Sequence, residues 1–407
     1  MDIWVLACSR PHPASIVDFQ RRSKMNPTRQ LVIHELVPSE IMGVLFEEHA
    51  KLEWRAPAID GRVCRIWRQI VLNTPRAWMY LEISDDRPPI IQELREWLDR
   101  SGSAPLYIRI DRKLSGNPHP DDHPLYNLLS SYHTRIASLR LPPDHPPFLD
   151  EREFPCLRLL DIALSYSRRD VLRPLRWDSM PELRSLRIGA SQMFPLQLSE
   201  LTQLEVLALS SARITSFPQH SQSLTMLMLT HVFFSDAVPS PMAFPSLTYL
   251  SMYAVSGSKR SMNAPRLVTF HEGGGISSNP FSSPVPSLVE YWANHPAFGE
   301  ENLAMLHHYF PNLLKLSIRT RSYYLIPFLQ SLSGDPQSLP ALQMITVGES
   351  NAPFTEEEKA IIKGLVQVRG EACQMDVMLD FGMEPPFQTP RFFCMVSALP
   401  IKVIVGV

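Results

Sequence analysis

The sequence predicts an α/β protein in three successive parts: an N-terminal helical segment, a curved solenoid of short repeats built on one parallel sheet, and a C-terminal capping helix. Three observations carry this expectation. The pattern L-x-x-L-x-L, with other apolar residues allowed, returns ten times from Ile136 onward at steps of 20 to 29 residues. A proline stands two residues before the first apolar position in seven of the ten copies. Ahead of the repeats, apolar residues recur at helical spacing between Pro38 and Thr74. In a chain of 407 residues the expected boundaries are 1–30 without a clear element, 31–80 helical, 81–135 a linker helix and the first strand of the array, 136–350 the solenoid, 351–384 the cap and 385–407 a tail.

The first helix opens at "LVPSEIMGVLFEEH". Pro38 and Ser39 suit a first turn, Glu40 favours the positive helix end, and Ile41, Val44 and Leu45 share a face. In "VCRIWRQIV", Val63, Ile66, Trp67, Ile70 and Val71 fall at i, i+3, i+4, i+7 and i+8, with Arg65, Arg68 and Gln69 on the other side. A segment of about 40 residues seldom sustains a core alone, so the rest of the chain or another protein is expected to cover this apolar surface. Cys64 has no Cys or His at ligand spacing and is read as a small buried or half-buried thiol.

The best repeats are Leu157/Leu160/Ile162, Leu183/Leu186/Ile188, Leu204/Leu207/Leu209, Leu224/Leu227/Leu229, Leu247/Leu250/Met252 and Leu313/Leu316/Ile318. Weaker copies are Ile136/Leu139/Leu141, Leu267/Phe270, Leu288/Tyr291/Ala293 and Leu342/Ile345/Val347. The last two apolar positions of each copy lie two apart and so point to one face of a short strand. Proline lacks an N–H and fixes φ, so Pro155, Pro181, Pro245, Pro265, Pro286, Pro311 and Pro340 mark where a connection ends and a strand begins. One unit cannot bury its apolar face; stacked units can. Helices or irregular segments are expected on the convex side. After the repeats, Thr355 and Glu358 form a capping box before "KAIIKGLVQV", and "CQMDVML" alternates like a last strand.

The period and the core pattern resemble leucine-rich repeats. The family's Asn or Cys after the last apolar position is replaced here by Ser165, Ser191, Ala212, Val232 and Arg321, so its side-chain ladder is missing and irregular curvature is expected. Val37-Pro38-Ser39-Glu40-Ile41 with Leu45-Phe46, then Val63-Cys64-Arg65-Ile66-Trp67-Arg68 with Ile70, is similar to an F-box. "LNTPRAW" and "WLDRSGSAPLYIRI" look like segments that follow it in a large fungal set of F-box proteins with degenerate leucine-rich repeats. Val37 in place of leucine, and Asp60-Gly61-Arg62 before the second helix, depart from the pattern. The resemblance implies a non-catalytic substrate receptor of a cullin-based SCF ubiquitin ligase, cytoplasmic or nuclear, binding a Skp-type adaptor through its F-box. Pro38, Ile41, Leu45, Val63, Trp67 and Ile70 are the expected adaptor contacts. A repeat scaffold without adaptor binding and a cryptic enzyme are the alternatives.

Composition narrows the partners. A formal charge of -2 with 20% charged residues gives no basic platform for nucleic acid. Five scattered cysteines form no C-x-x-C pair and suggest neither zinc nor a disulfide framework, which fits a reducing compartment. The apolar run Ile3 to Cys8 is short for a signal peptide, and the C-terminal "FFCMVSALPIKVIVGV" falls below a bilayer span, so no membrane is expected. No phosphate-binding glycine loop, G-x-S-x-G or H-E-x-x-H occurs, so no cofactor or metal is expected. "HEGGG" at His271 to Gly275 reads as a strand and turn, and the adjacent His307 and His308 point apart on a helix. Strand alternation places residues at offsets two, four and six from each motif start on the concave face. Met226, Met228, Tyr249, Tyr253, His271 and Trp292 are therefore expected to bind a protein substrate, with Arg187, Lys315 and Arg319 on the same face.

Overall fold

The computed structural model describes residues 37–84, 88–110, 124–142, 147–150, 152–164, 176–257, 261–273, 279–294, 301–320, 322–335, 338–349, 360, 361, 364 and 376–380. Most of the expected capping helix lies outside them. The chain divides into two compact units, one ending at Trp78 and one beginning at Met79.

The N-terminal unit holds three helices, α1 (Ser39–Leu52), α2 (Ala56–Asp60) and α3 (Arg65–Leu72), followed by a 3-10 turn at Pro75–Trp78. Helix α1 carries apolar residues on two faces. Met42, Phe46 and Ala50, at i, i+4 and i+8, are buried with Val71, Ala77 and Trp78. Gly43 brings α1 close to the chain at Thr74, where a Cβ would stand 3.1 Å from the Thr74 hydroxyl. The Trp78 indole donates to the Val71 carbonyl at 2.9 Å, and Trp67 packs on Phe46 with ring centroids 5.3 Å apart. Cys64 is half-buried and caps α3, its sulfur accepting from the Trp67 amide at 3.4 Å. Val63 departs from the expected helical face. Because the helix begins at Arg65, Val63 lies in the preceding turn and is exposed, as is Ile66, while Trp67 and Ile70 are half-buried and Val71 is buried.

The second unit is a parallel-sheet solenoid. Strands β1 (Tyr80–Ile83), β2 (Leu106–Ile110), β3 (Ile136–Leu141), β4 (Leu159–Leu164), β5 (Ser185–Gln197), β6 (Val206–Ser216), β7 (Met226–Thr230), β10 (Tyr249–Tyr253), β13 (Thr269–Gly273), β14 (Glu290–Asn294), β15 (Lys315–Thr320), β16 (Met344–Glu349) and β17 (Asp376–Asp380) follow one another in sequence order. All pair in parallel, and the register aligns the repeats position for position: Leu160, Leu186, Leu207, Leu227, Leu250, Phe270, Tyr291, Leu316 and Ile345 form one continuous row. Every side chain in that row is buried. Where the leucines give way to rings, Phe270 stacks on Tyr291 at 5.3 Å, and Phe281 and Phe310 fill the space behind them at 5.2 and 5.5 Å from those two rings.

The prolines serve a more specific purpose than marking strand starts. In each of the seven proline-bearing repeats the first motif residue donates its N–H to the carbonyl three residues earlier, as Leu157 does to Phe154 at 3.1 Å and Leu247 to Phe244 at 3.2 Å. Proline thus occupies the second position of a β-turn, where its fixed φ suits the geometry and its missing donor costs nothing. The turn lets the residue before proline and the first motif leucine both enter the core: Phe154 and Leu157, Phe244 and Leu247, Phe310 and Leu313 are buried.

At the other end of the strands a backbone device stands in place of the missing side-chain ladder. Ser211, His231 and Ala254, each seven residues after a motif start, have φ of 55°, 52° and 50° and turn the chain sharply. The His231 amide donates to the Tyr253 carbonyl at 2.8 Å and the Ala254 amide to that of Gly273 at 2.9 Å. Ala212 and Val232 then point inward and are buried.

The expectation of helices or irregular segments behind the sheet needs correction in the middle of the array. Helices α4 (Pro88–Arg100), α5 (Pro124–Ser130) and α6 (Pro147–Asp150) connect the early strands; α7 (Glu301–Tyr309) and α8 (Ser322–Gly334) connect the late ones. Between them the returning chain is itself extended. The second halves of β5 and β6 pair, β8 (Phe233–Phe234) pairs β6 and β11 (Ser256–Gly257), and β9 (Met242–Ala243) pairs β12 (Met262–Asn263). For the two late helices repeat length is the reason. The two late helices occupy the steps of 25 and 29 residues from Leu288 to Leu313 and from Leu313 to Leu342, whereas the strand-backed repeats starting at Leu204, Leu224 and Leu247 step by 20 to 23. A short return covers the same height with fewer residues when extended at about 3.3 Å per residue than when helical at about 1.5 Å.

Candidate interaction surfaces

The N-terminal unit exposes an unusual number of large apolar side chains. Ile41 (53% exposed), Val44 (54%), Leu45, Leu52 (87%), Ile59, Val63 (60%), Ile66 and Leu72 are eight of the eleven exposed large hydrophobic residues among those described. Isolated surface leucines are ordinary, but this many in a unit of some 40 residues is a concentration that suggests an interaction site. Of the six residues expected to contact an adaptor, Pro38, Ile41, Leu45 and Val63 are exposed, and Trp67 and Ile70 are half-buried. Val44, Leu52, Ile59, Ile66 and Leu72 are the unit's other exposed large apolar residues. Val44 and Ile66 are visible in the helical spacing, whereas the exposure of Ile59 follows from the short helix α2. That helix is held by Asp60, whose carboxylate lies 3.1 Å from the His49 ring nitrogen. Burial raises the Asp60 pKa, and the hydrogen bond and charge of His49 oppose the rise.

The other surface is the open face of the sheet, carrying the residues that alternate with the core rows. Met226, Met228, Tyr249, Tyr253, His271 and Trp292 all lie there and are half-buried. Tyr249, His271 and Trp292 come together across three adjacent strands, with ring centroids 5.2 and 5.8 Å apart, and the Tyr249 hydroxyl shares a 3.1 Å hydrogen bond with His271 Nδ1. Burial pushes His271 down to about 4, so at neutral pH this aromatic row carries no charge of its own. Tyr253 turns the other way and meets His231 edge-on at 5.5 Å. Its ring lies over Gly273, where a Cβ would come within 2.5 Å of it. Met226 and Met228 stand in register with Tyr249 and Ser251. Arg187, Lys315 and Arg319 share the face, Lys315 opposite Glu290 and Arg319 opposite Asn294.

Glu272 departs most sharply from the repeat pattern. It occupies the third core position, between Met252 and Ala293, where its neighbours are apolar. Its carboxyl is pushed up to about 7 by burial, against the pull of the Tyr291 hydroxyl, which donates to it at 2.6 Å. Burial, with the charge and hydrogen bond of Glu272, raises Tyr291 well above the usual phenol range. The sequence signal was present: Leu267/Phe270 lacked its third apolar residue.

"HEGGG" therefore divides between surfaces, His271 outward and Glu272 inward, while Gly274 and Gly275 lie outside the described residues. His307 and His308 sit in the last turn of α7. Among the described residues no three His, Cys, Asp or Glu side chains gather in a metal-binding group. No helix among them is long and apolar enough to cross a membrane. No protein-family model matches the chain, nor does any curated protein.

Proposed function

We propose that the protein is a non-catalytic substrate receptor that engages a Skp-type adaptor of a cullin-based ubiquitin ligase through its N-terminal helices and a protein substrate through the open face of its repeats. The observation that carries this reading is the number of exposed large apolar side chains on the N-terminal unit, eight of the eleven among the described residues. Three of the eight, Ile41, Leu45 and Val63, are positions of the F-box resemblance.

Size-exclusion chromatography of the purified full chain with a purified Skp-type adaptor tests this. Co-elution is expected for the parent chain, and loss of co-elution for Ile41→Glu combined with Val63→Glu. Both side chains point to solvent, so that variant should keep its melting temperature. Capture by the folded double variant at parental strength would move the adaptor site elsewhere. Failure of the parent to capture any adaptor would leave the repeat-scaffold reading in its place.

A further inference from the structure

Fixed charge on the open face of the sheet is interrupted in the middle of the array. Strands β1 to β5 each place one charged side chain in the middle row, in the order Glu82, Arg109, Arg140, Asp161 and Arg187. Every one of them has an opposite charge as a neighbour: Glu82 stands beside Arg109, and Asp161 stands between Arg140, whose Nε is 3.7 Å away, and Arg187. Charge returns on β14 and β15 with Glu290, Lys315 and Arg319, of which the first two are again direct neighbours. Between these limits the same rows run on through β6, β7, β10 and β13. None of the open-face residues of those rows, from Val206, Ala208 and Ser210 on β6 to Thr269, His271 and Gly273 on β13, is Asp, Glu, Lys or Arg. Burial holds His271 neutral at pH 7, and its Nδ1 shares a hydrogen bond with the Tyr249 hydroxyl. The uncharged stretch carries Met226, Met228 and Tyr249, and Trp292 stands beside His271 on the next strand.

We propose that the open face of β6 to β13 is the docking floor for a protein segment that presents apolar side chains and no fixed charge to it. The proposal rests on reading the repeats as the substrate-binding side and names the class of substrate. Charge complementarity selects this occupant. An Asp, Glu, Lys or Arg side chain laid over these strands would lose its water and meet no counter-charge, whereas an apolar side chain gains by leaving water. Methionine and aromatic residues with charge only at the margin also match the composition of an interface core and its rim. The charged strands on either side are already internally paired, so they bound the site and do not extend it. From β6 to β13 there are three strand spacings. At about 4.8 Å per strand this is roughly 14 Å, the length of about four extended residues or about ten helical ones.

Selection of a random peptide library, displayed on phage, against the purified full chain tests the assignment, with the best peptide then synthesised, labelled and measured by fluorescence anisotropy. Enriched peptides should share a run free of Asp, Glu, Lys and Arg and rich in Leu, Met, Phe or Trp. Placing Lys or Glu at the centre of that run should weaken binding by about tenfold or more for either sign. Affinity should not fall as salt is raised. Met228→Lys should lose the parent peptide and favour its Glu-bearing form over its Lys-bearing form. An unchanged melting temperature identifies that variant as folded, and Ala208→Asp on the adjacent strand makes the same test with the signs reversed should Met228→Lys melt early. The exposed apolar residues of the N-terminal unit could also select apolar peptides, so Ile41→Glu combined with Val63→Glu should bind the peptide as the parent does. No enrichment, charged residues throughout the enriched peptides, undiminished binding by folded Met228→Lys, or loss of binding in the N-terminal variant would each overturn the proposal. A chain that sediments as a dimer and becomes a monomer on Met228→Lys would assign the face to a second copy instead. The adaptor is not present in this experiment, so its outcome is separate from that of the adaptor-capture test.

Discussion

Glu272→Gln and His271→Asn should produce stability profiles with opposite dependence on pH. The two neighbours sit on opposite faces of β13, and each is held by burial in its neutral form. The Glu272 carboxyl moves from 4.5 to about 7 and the His271 imidazole from 6.5 to about 4. For Glu272 the native state binds more protons than the unfolded chain between pH 4.5 and 7, so stability falls as pH rises through that window. For His271 the unfolded chain binds more protons between pH 4 and 6.5, so stability rises there. Each shift corresponds to a change on the order of 3 kcal/mol across its window. In the parent the two largely cancel up to pH 6.5, leaving a shallow decline between 6.5 and 7 from Glu272 alone. Urea denaturation at pH steps from 4 to 8 should show Glu272→Gln gaining stability toward neutral pH relative to the parent, and His271→Asn losing it. Parallel profiles for all three proteins would refute the burial argument, and slopes of the reverse sign would refute the placement of Glu272 among the core residues.

Three further outcomes follow from the packing. Leu247→Ala, which opens a cavity beneath a β-turn, should cost about 2 to 5 kcal/mol, while Pro245→Ala in the same turn should cost only about 0.5 to 1 kcal/mol, chiefly by loosening the unfolded chain; urea denaturation separates the two. Gly273→Ala should force the Tyr253 ring off β13, since the new methyl would meet it at 2.5 Å; a changed near-ultraviolet circular dichroism spectrum with reduced stability is expected, and Gly273→Ala combined with Tyr253→Ala should recover part of the loss. Asp60→Ala should lower the stability of the N-terminal unit by about 1 to 3 kcal/mol, because it removes the partly buried acceptor that ties α2 to His49; a smaller loss in a His49→Ala background would confirm the pairing by a double-mutant cycle.

The repeat architecture was legible in the sequence because a strand that buries one face must alternate and a stacked unit must repeat. Those constraints determined the strand positions, the residues of both core rows and the face carrying Tyr249, His271 and Trp292. The weak copies Leu267/Phe270 and Leu288/Tyr291/Ala293 belong to the same rows as the strong ones, with Phe281 and Phe310 filling the space that aliphatic side chains fill elsewhere. Tertiary structure decided what local patterns cannot encode. Helix α1 has apolar residues on two faces, and spacing alone gives no means of choosing Met42 and Phe46 over Ile41 and Val44 as the buried set; packing against Val71 and Trp78 does. Val63 fits a helical period, but Cys64 caps the helix one residue later and leaves it in a turn. The extended returns behind the middle repeats depend on repeat length together with backbone pairing between neighbouring turns, as do the left-handed residues Ser211, His231 and Ala254. Such pairings join residues about 20 positions apart, so the hydrogen bonds that stabilise them exist only once the repeats are stacked.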